Sequence, residues 1–113
     1  MSAGYQELFL EQGSDFNTSV ILDQADGTPF VLTDCQVKAI MKKSYYSQST
    51  TAEFVININD PLEGVLILSL SHANTANISA GRYVYDVLIK DSSNTVSRVL
   101  EGIVNVLPQV TVF

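Results

Sequence analysis

His72 is the one imidazole in the chain and Cys35 the one thiol. Acyl transfer needs a nucleophile with a base in reach, and these two side chains are the obvious places to look for it. Cys35 falls in phase with Val37 and Ala39, an alternation that predicts a small core residue, not a reactive thiol. His72 stands in the polar stretch Ser71 to Ser79 and is expected to be solvated. A zinc site needs more His and Cys than the chain contains. Asp23, Asp26 and Gly27 lack the alternating oxygen ligands and closing glutamate of a calcium loop, and Asp26-Gly27 instead predicts a hairpin turn. Asp86 has apolar Val84 and Leu88 on its own face and a tyrosine nearby on the other. It is expected to be a half-buried carboxylate bonded to a backbone N–H or a tyrosine hydroxyl, and no second carboxylate is suggested beside it for acid–base work. There is no glycine-rich phosphate loop. The expectation is no catalytic residue, no cofactor and no metal, hence no enzyme.

The elements that would position these residues are strands. Arg82 to Lys90 is dense in β-branched and aromatic residues, and the polar turn Asp91 to Asn94 reverses it into Thr95 to Leu107, which predicts a β-hairpin. Tyr83, Tyr85, Val87 and Ile89 share one face of its first arm. Val96, Leu100, Gly102, Val104 and Val106 share a face on the return. The earlier strands are expected to supply an opposing sheet. In chain order these are Tyr5 to Gln12, Asp15 to Asp23, Cys35 to Lys43, Ala52 to Asn59 and Val65 to Leu70. Pro29 in the turn Gln24 to Pro29 forbids a central-strand ladder there, and Phe30 to Leu32 is a short apolar piece. The weakly periodic stretch from Ser71 has room for one helical turn before Gly81.

Seven strands at this spacing suit a sandwich or a barrel. The alternation predicts an all-β antiparallel sandwich of seven to eight strands, a single domain over 1–113. Its expected core is Leu8, Leu10, Phe16, Val20, Leu22, Val37, Met41, Phe54, Ile56, Leu66, Leu68, Tyr83, Val87, Leu100 and Val104.

Composition narrows the partners. The formal net charge is −6, with six basic residues of which Lys42 and Lys43 alone are adjacent, so nucleic acid is not an expected partner. Apolar runs such as Val65 to Leu70 are far shorter than a membrane span, and MSAGYQELFLEQ lacks the pattern of a secretory signal, so no membrane partner is expected. A lone cysteine cannot form an internal disulfide and points to synthesis in a cytosol. The sequons at Asn17 and Asn77 are therefore read as chance. Charged residues make up 16% of the chain, below the ~25% usual for soluble domains, which leaves a largely uncharged surface suited to packing against neighbours.

Several stretches carry a family resemblance: QGSDF (Gln12 to Phe16), DGTPFVLTD (Asp26 to Asp34), Val37 to Lys43, AGRYVYDV (Ala80 to Val87) and VLEGIVNVLPQVT (Val99 to Thr111). With them the chain resembles a small virion structural domain of tailed phages, common in contractile-tailed cyanophages and similar to the N-terminal domain of phage baseplate upper proteins. The resemblance implies an immunoglobulin-like β-sandwich that attaches to other virion proteins and catalyses nothing. It would be a baseplate, tail or neck subunit made in the host cytoplasm and located in the virion, or alternatively a capsid decoration protein. A free carbohydrate- or protein-binding module is the reading from another class. Gly81-Arg82-Tyr83 also looks like a tyrosine corner, with Tyr85 standing where antibody domains carry a cysteine.

Few charges blunt the edge strands of such a sandwich, so a homo-oligomer or multicopy assembly is expected. The candidate contacts are the segment Met1 to Tyr5 with Tyr5, the loop Ser44 to Thr51 with Tyr45 and Tyr46, and the tail Pro108 to Phe113 with Pro108, Val110, Val112 and Phe113.

Overall fold

The computed structural model describes residues 4–24 and 26–113. Among them, nine strands and one short helix follow in order: β1 (Gly4–Tyr5), β2 (Leu8–Glu11), β3 (Phe16–Ile21), β4 (Gln36–Lys42), β5 (Ala52–Glu53), β6 (Val55–Asp60), β7 (Val65–Leu70), α1 (His72–Thr75), β8 (Gly81–Lys90) and β9 (Val96–Leu107). β1 with β2, and β5 with β6, are the two pieces of interrupted runs, so the strands form the seven runs that alternation predicts. Residues 30–32 stay out of both sheets; Leu32 is nonetheless buried.

One sheet has the order β1-β9-β8-β4-β5, with β2 also on β9, and the other is β3-β7-β6. The hairpin β8–β9 is thus the middle of the larger sheet. The expectation that all earlier strands would oppose it is corrected: β1, β2, β4 and β5 join its own sheet, and β3, β6 and β7 face it. β1 and β2 run parallel to β9, a departure from a wholly antiparallel sheet. Because β9 is long, with 12 residues, both pieces of the first run pair along its free edge. The break between them is set by Gly102: a side chain there would collide with the Gln6 backbone carbonyl. That carbonyl accepts the Tyr85 hydroxyl proton at 2.7 Å. Lacking a Cβ, Gly102 leaves room for the crossing chain.

The Ala52 to Asn59 run likewise divides its loyalty. Ala52 and Glu53 pair with β4 in the large sheet, Phe54 N–H still donates to Ala39 C=O, and from Val55 onward the chain pairs with β7 in the other sheet. Phe54 is buried where the strand changes sheets, packed between Phe16 and Tyr85 with ring centroids 6.0 and 6.1 Å away. Twelve of the expected core residues are buried, and Phe16, Val37 and Ile56 pack against them half-exposed.

The reading of β9 needs one correction. Leu88 pairs with Arg98 but Val87 with Leu100, so Val99 is an extra residue in a β-bulge. A bulge shifts the side-chain phase: Leu100, Gly102, Val104 and Val106 face the core as expected, whereas Val96 is exposed and Val99 is buried. The turn that closes the hairpin is held by the Asp91 carboxylate, which accepts from Ser93 N–H, Ser93 O–H and Thr95 N–H.

At the opposite end of the sandwich, Ser71 caps the single helical turn α1. Its Thr75 is buried and donates to Ser14 C=O.

Candidate functional site

Topology separates the two side chains that could have made a nucleophile and its base. Cys35 precedes β4 at the end of the sandwich where β8 finishes, and His72 follows β7 at the other end. Cys35 is half-buried, not enclosed, with Sγ 3.9 Å from Val31 C=O. Burial pushes its thiol pKa up, and the carboxylates of Asp91 and Asp34 add to that push. Such a thiol resists forming the thiolate that chemistry needs. His72 is solvent-exposed, as expected, though not unpartnered: its backbone N–H and its Nδ1 lie 2.6 and 2.9 Å from Asp15 Oδ1.

Asp26 accepts from Thr28 N–H and O–H, which is a turn and not an ion cage. Among the described residues no cluster of His, Cys, Asp and Glu could hold a metal ion, and no helix is long and apolar enough to cross a membrane. Ala25, within the predicted turn, lies outside the described residues.

Asp86 is a half-buried carboxylate, yet its expected partner is corrected. Arg98 Nε, not a tyrosine, sits 3.3 Å from its Oδ2, and Arg98 also approaches Glu101 at 4.0 Å. The bulge at Val99 is what turns Arg98 outward beside Asp86. These residues belong to a continuous outer face of the large sheet. Register places Tyr5, Glu101, Asp86, Ile40 and Glu53 in one row across five strands. Tyr45 folds back over this row from the β4–β5 loop, its hydroxyl 3.5 Å from Glu101 Oε1. Beside it lies a depression of about 170 Å³ lined by Ile40, Lys42, Ser44, Tyr45, Asp86 and Arg98, among others.

The expected contact residues are thereby scattered. Tyr5 and Tyr45 sit on the outer face of the large sheet. Tyr46 is 95% exposed. Of the segment Met1 to Tyr5, residues 1–3 lie outside the described residues. The tail Pro108 to Phe113 runs at the far end, tied down where Gln109 N–H donates to the Gln12 side chain. Its Val110, Val112 and Phe113 are exposed. What residue types alone missed is Lys42 and Arg98, since their convergence depends on a cross-strand register and a bulge that alternation does not reveal.

Two packed sheets, the β8–β9 hairpin inside one of them and the Tyr83 hydroxyl donating to Ser79 C=O at 2.6 Å define an immunoglobulin-like β-sandwich with its tyrosine corner. At the antibody cysteine position, buried Tyr85 fills the core, and burial drives its hydroxyl pKa well above the ordinary value.

No protein-family model and no curated protein sequence matches the chain. Among solved structures it is similar to CopC from Methylosinus trichosporium OB3b, at 9% identity over 100% of this chain and 91% of that one, with a TM-score of 0.49. It is also similar to murine CRIg, at 10% identity over 92% of each chain and a TM-score of 0.43. A third similarity is to a chain solved for the cell-adhesive interactions of VGSC beta subunits, at 12% identity over 95% of this chain and 96% of that one, with a TM-score of 0.47. These are likenesses of chain path.

Proposed function

We propose that this chain is a non-enzymatic structural subunit of a tailed-phage virion, docking onto other virion proteins as a baseplate, tail or neck accessory. The phage assignment comes from the resemblance of its sequence stretches. The observation that supports a docking role is the distribution of apolar surface. Tyr5, Tyr45 and Tyr46, the tail residues Val110, Val112 and Phe113, and Phe9 on the β2 edge all stand exposed. Tyrosine and phenylalanine are enriched at interface cores, and here they stand exposed at several separate places on the surface.

The test is mass spectrometry of purified particles from a phage encoding the chain, followed by separation of capsids from tails. Stoichiometric recovery with the tail or baseplate fraction is expected. Recovery with capsids would replace the accessory reading by that of a decoration protein, and virions that lack the chain would end the structural reading altogether.

A further inference from the structure

We propose that the outer face of the large sheet is a docking surface for the acidic loop end of a second copy of this chain, giving a head-to-face contact. This rests on the reading of the chain as a subunit of a multicopy assembly and names the surfaces through which copies would meet.

The chain's charge is unevenly spread. Its six basic residues are Lys38, Lys42, Lys43, Arg82, Lys90 and Arg98, and the strands β4, β8 and β9 carry all but Lys43, which follows β4 directly. Lys38, Lys42, Arg82, Lys90 and Arg98 alternate with the buried residues of their strands and so point outward from the large sheet. Lys43 Nζ lies instead 5.0 Å over the Tyr83 ring. Four carboxylates share this face: Glu11 on β2, Glu53, Asp86 and Glu101. Arg98 is engaged by two of them, and the other four cations make no ion pair among the described residues.

The opposite charge collects at one end. The connections β3–β4, β6–β7 and β8–β9 meet there, linked by bonds such as Leu22 N–H to Gly64 C=O and Leu32 N–H to Pro61 C=O. They carry Asp23, Asp26, Asp34, Glu63 and Asp91, with Asp60 at the end of β6 and no basic residue in any of the three. Hydrogen bonds from Thr28 and Ser93 hold the Asp26 and Asp91 carboxyls below the usual carboxylate range, so both are ionised at neutral pH.

A chain of net charge −6 repels its own copies unless an acidic part of one meets a basic part of another. The fold offers such a pairing between the acidic loop end and the cations Lys38, Lys42, Arg82 and Lys90, which make no ion pair among the described residues. The depression beside Tyr45 lies within this face: Arg98 there is held by Asp86 and Glu101 and the Tyr45 hydroxyl by Glu101, which leaves Lys42 as its cation for an incoming carboxylate. The short cross-section of the molecule, 29 × 22 Å, limits the contact to about 600 Å² per partner, the lower end of specific interfaces. The contact is heterologous, so it builds rings or filaments, not closed pairs.

The experiment uses the purified full chain in sedimentation velocity at low and high salt. Self-association that weakens at least about tenfold in Kd between 20 and 500 mM NaCl is expected. Lys38→Glu with Lys42→Glu should abolish it, as should Asp23→Lys with Glu63→Lys. Mixing these two double variants should restore it, because each then offers the charge the other lacks. Zero-length carbodiimide cross-linking of a mixture of isotope-labelled and unlabelled wild-type chain should join face lysines to loop-end carboxylates between copies. This second arm needs no variant to fold. A chain that stays monomeric at low salt and gives no intermolecular cross-links overturns the inference, as does association that survives either double variant, or a mixture of the two that stays dissociated. A monomeric chain that is present in virions would sink this inference and leave the virion reading standing. Association of a chain absent from virions would do the reverse.

Discussion

The two outer faces of this sandwich are built alike and finished differently. The face of the large sheet carries five cations and four carboxylates among apolar residues. That of β3-β7-β6 presents Asn17, Ser19, Ile21, Val55, Asn57, Asn59, Val65, Ile67 and Ser69 on its rows, without an ionisable group until Asp60 at its end. Strand spacing gives the smaller face roughly 300 Å², too little for a stable interface by itself, and the larger face roughly 700 Å². On the docking proposed above, charge on the larger face would select among partners over a usable area. The smaller face avoids unwanted pairing by being small and by alternating asparagine and serine with its β-branched residues.

The largest effect should come from breaking the layer that both faces share. Leu68 on β7 is fully buried, while its neighbour Ile67 lies on the outer, uncharged side. Leu68→Ala should cost about 2–5 kcal/mol and Ile67→Ala no more than about 1 kcal/mol in chemical denaturation. Equal losses would mean that the uncharged face is structurally buried by something beyond the fold described.

The contrast between the faces was only partly legible in the sequence. Alternation placed Leu66, Leu68, Tyr83, Tyr85 and Val87 inward correctly, because burial on one face of a strand leaves a period-two trace in residue type. It failed at Val96 and Val99, where a bulge changes the phase without any residue that announces it, and it could not tell which sheet a strand joins. Ala52 to Asn59 alternates smoothly although its pairing changes sheets at Phe54. The surface was harder still. Lys42, Arg98 and Asp86 are far apart in the chain, and only the β4–β8–β9 register gathers them. The cation above Tyr83 and the tyrosine over Glu101 belong to the same class of long-range facts.

A smaller effect sharpens the account of how the charged sheet is held. Tyr85 donates to the Gln6 carbonyl across Gly102, joining the β1–β2 break to the sheet centre. Tyr85→Phe keeps the ring beside Phe54 and removes only that bond, so a loss of about 1–2 kcal/mol is expected. Hydrogen exchange should show it at β1 and β2 more than at β3, β6 and β7. A loss spread evenly over both sheets would contradict the idea that this bond serves the larger sheet specifically.

The smallest effect concerns the end of the sandwich away from the acidic loops, where one carboxylate is tied down locally. Asp15 accepts the backbone N–H of His72 and, second, a proton from its ring nitrogen, and both bonds favour the ionised carboxyl, holding its pKa below the usual carboxylate range. A carboxyl whose folded pKa is depressed adds stability above its unfolded pKa and loses it as pH falls through the folded value. The contribution should therefore be complete at neutral pH and disappear in acid as pH falls through the depressed folded value. Asp15→Asn keeps an oxygen acceptor but removes the charge, so the melting temperatures of variant and wild type should differ slightly at pH 7 and converge in acid. The group is fully exposed, so the difference should be small and should shrink with added salt. If the gap instead persists unchanged in acid, the role of Asp15 is steric or lies in its neutral hydrogen bonding, and its charge is irrelevant to how α1 is anchored.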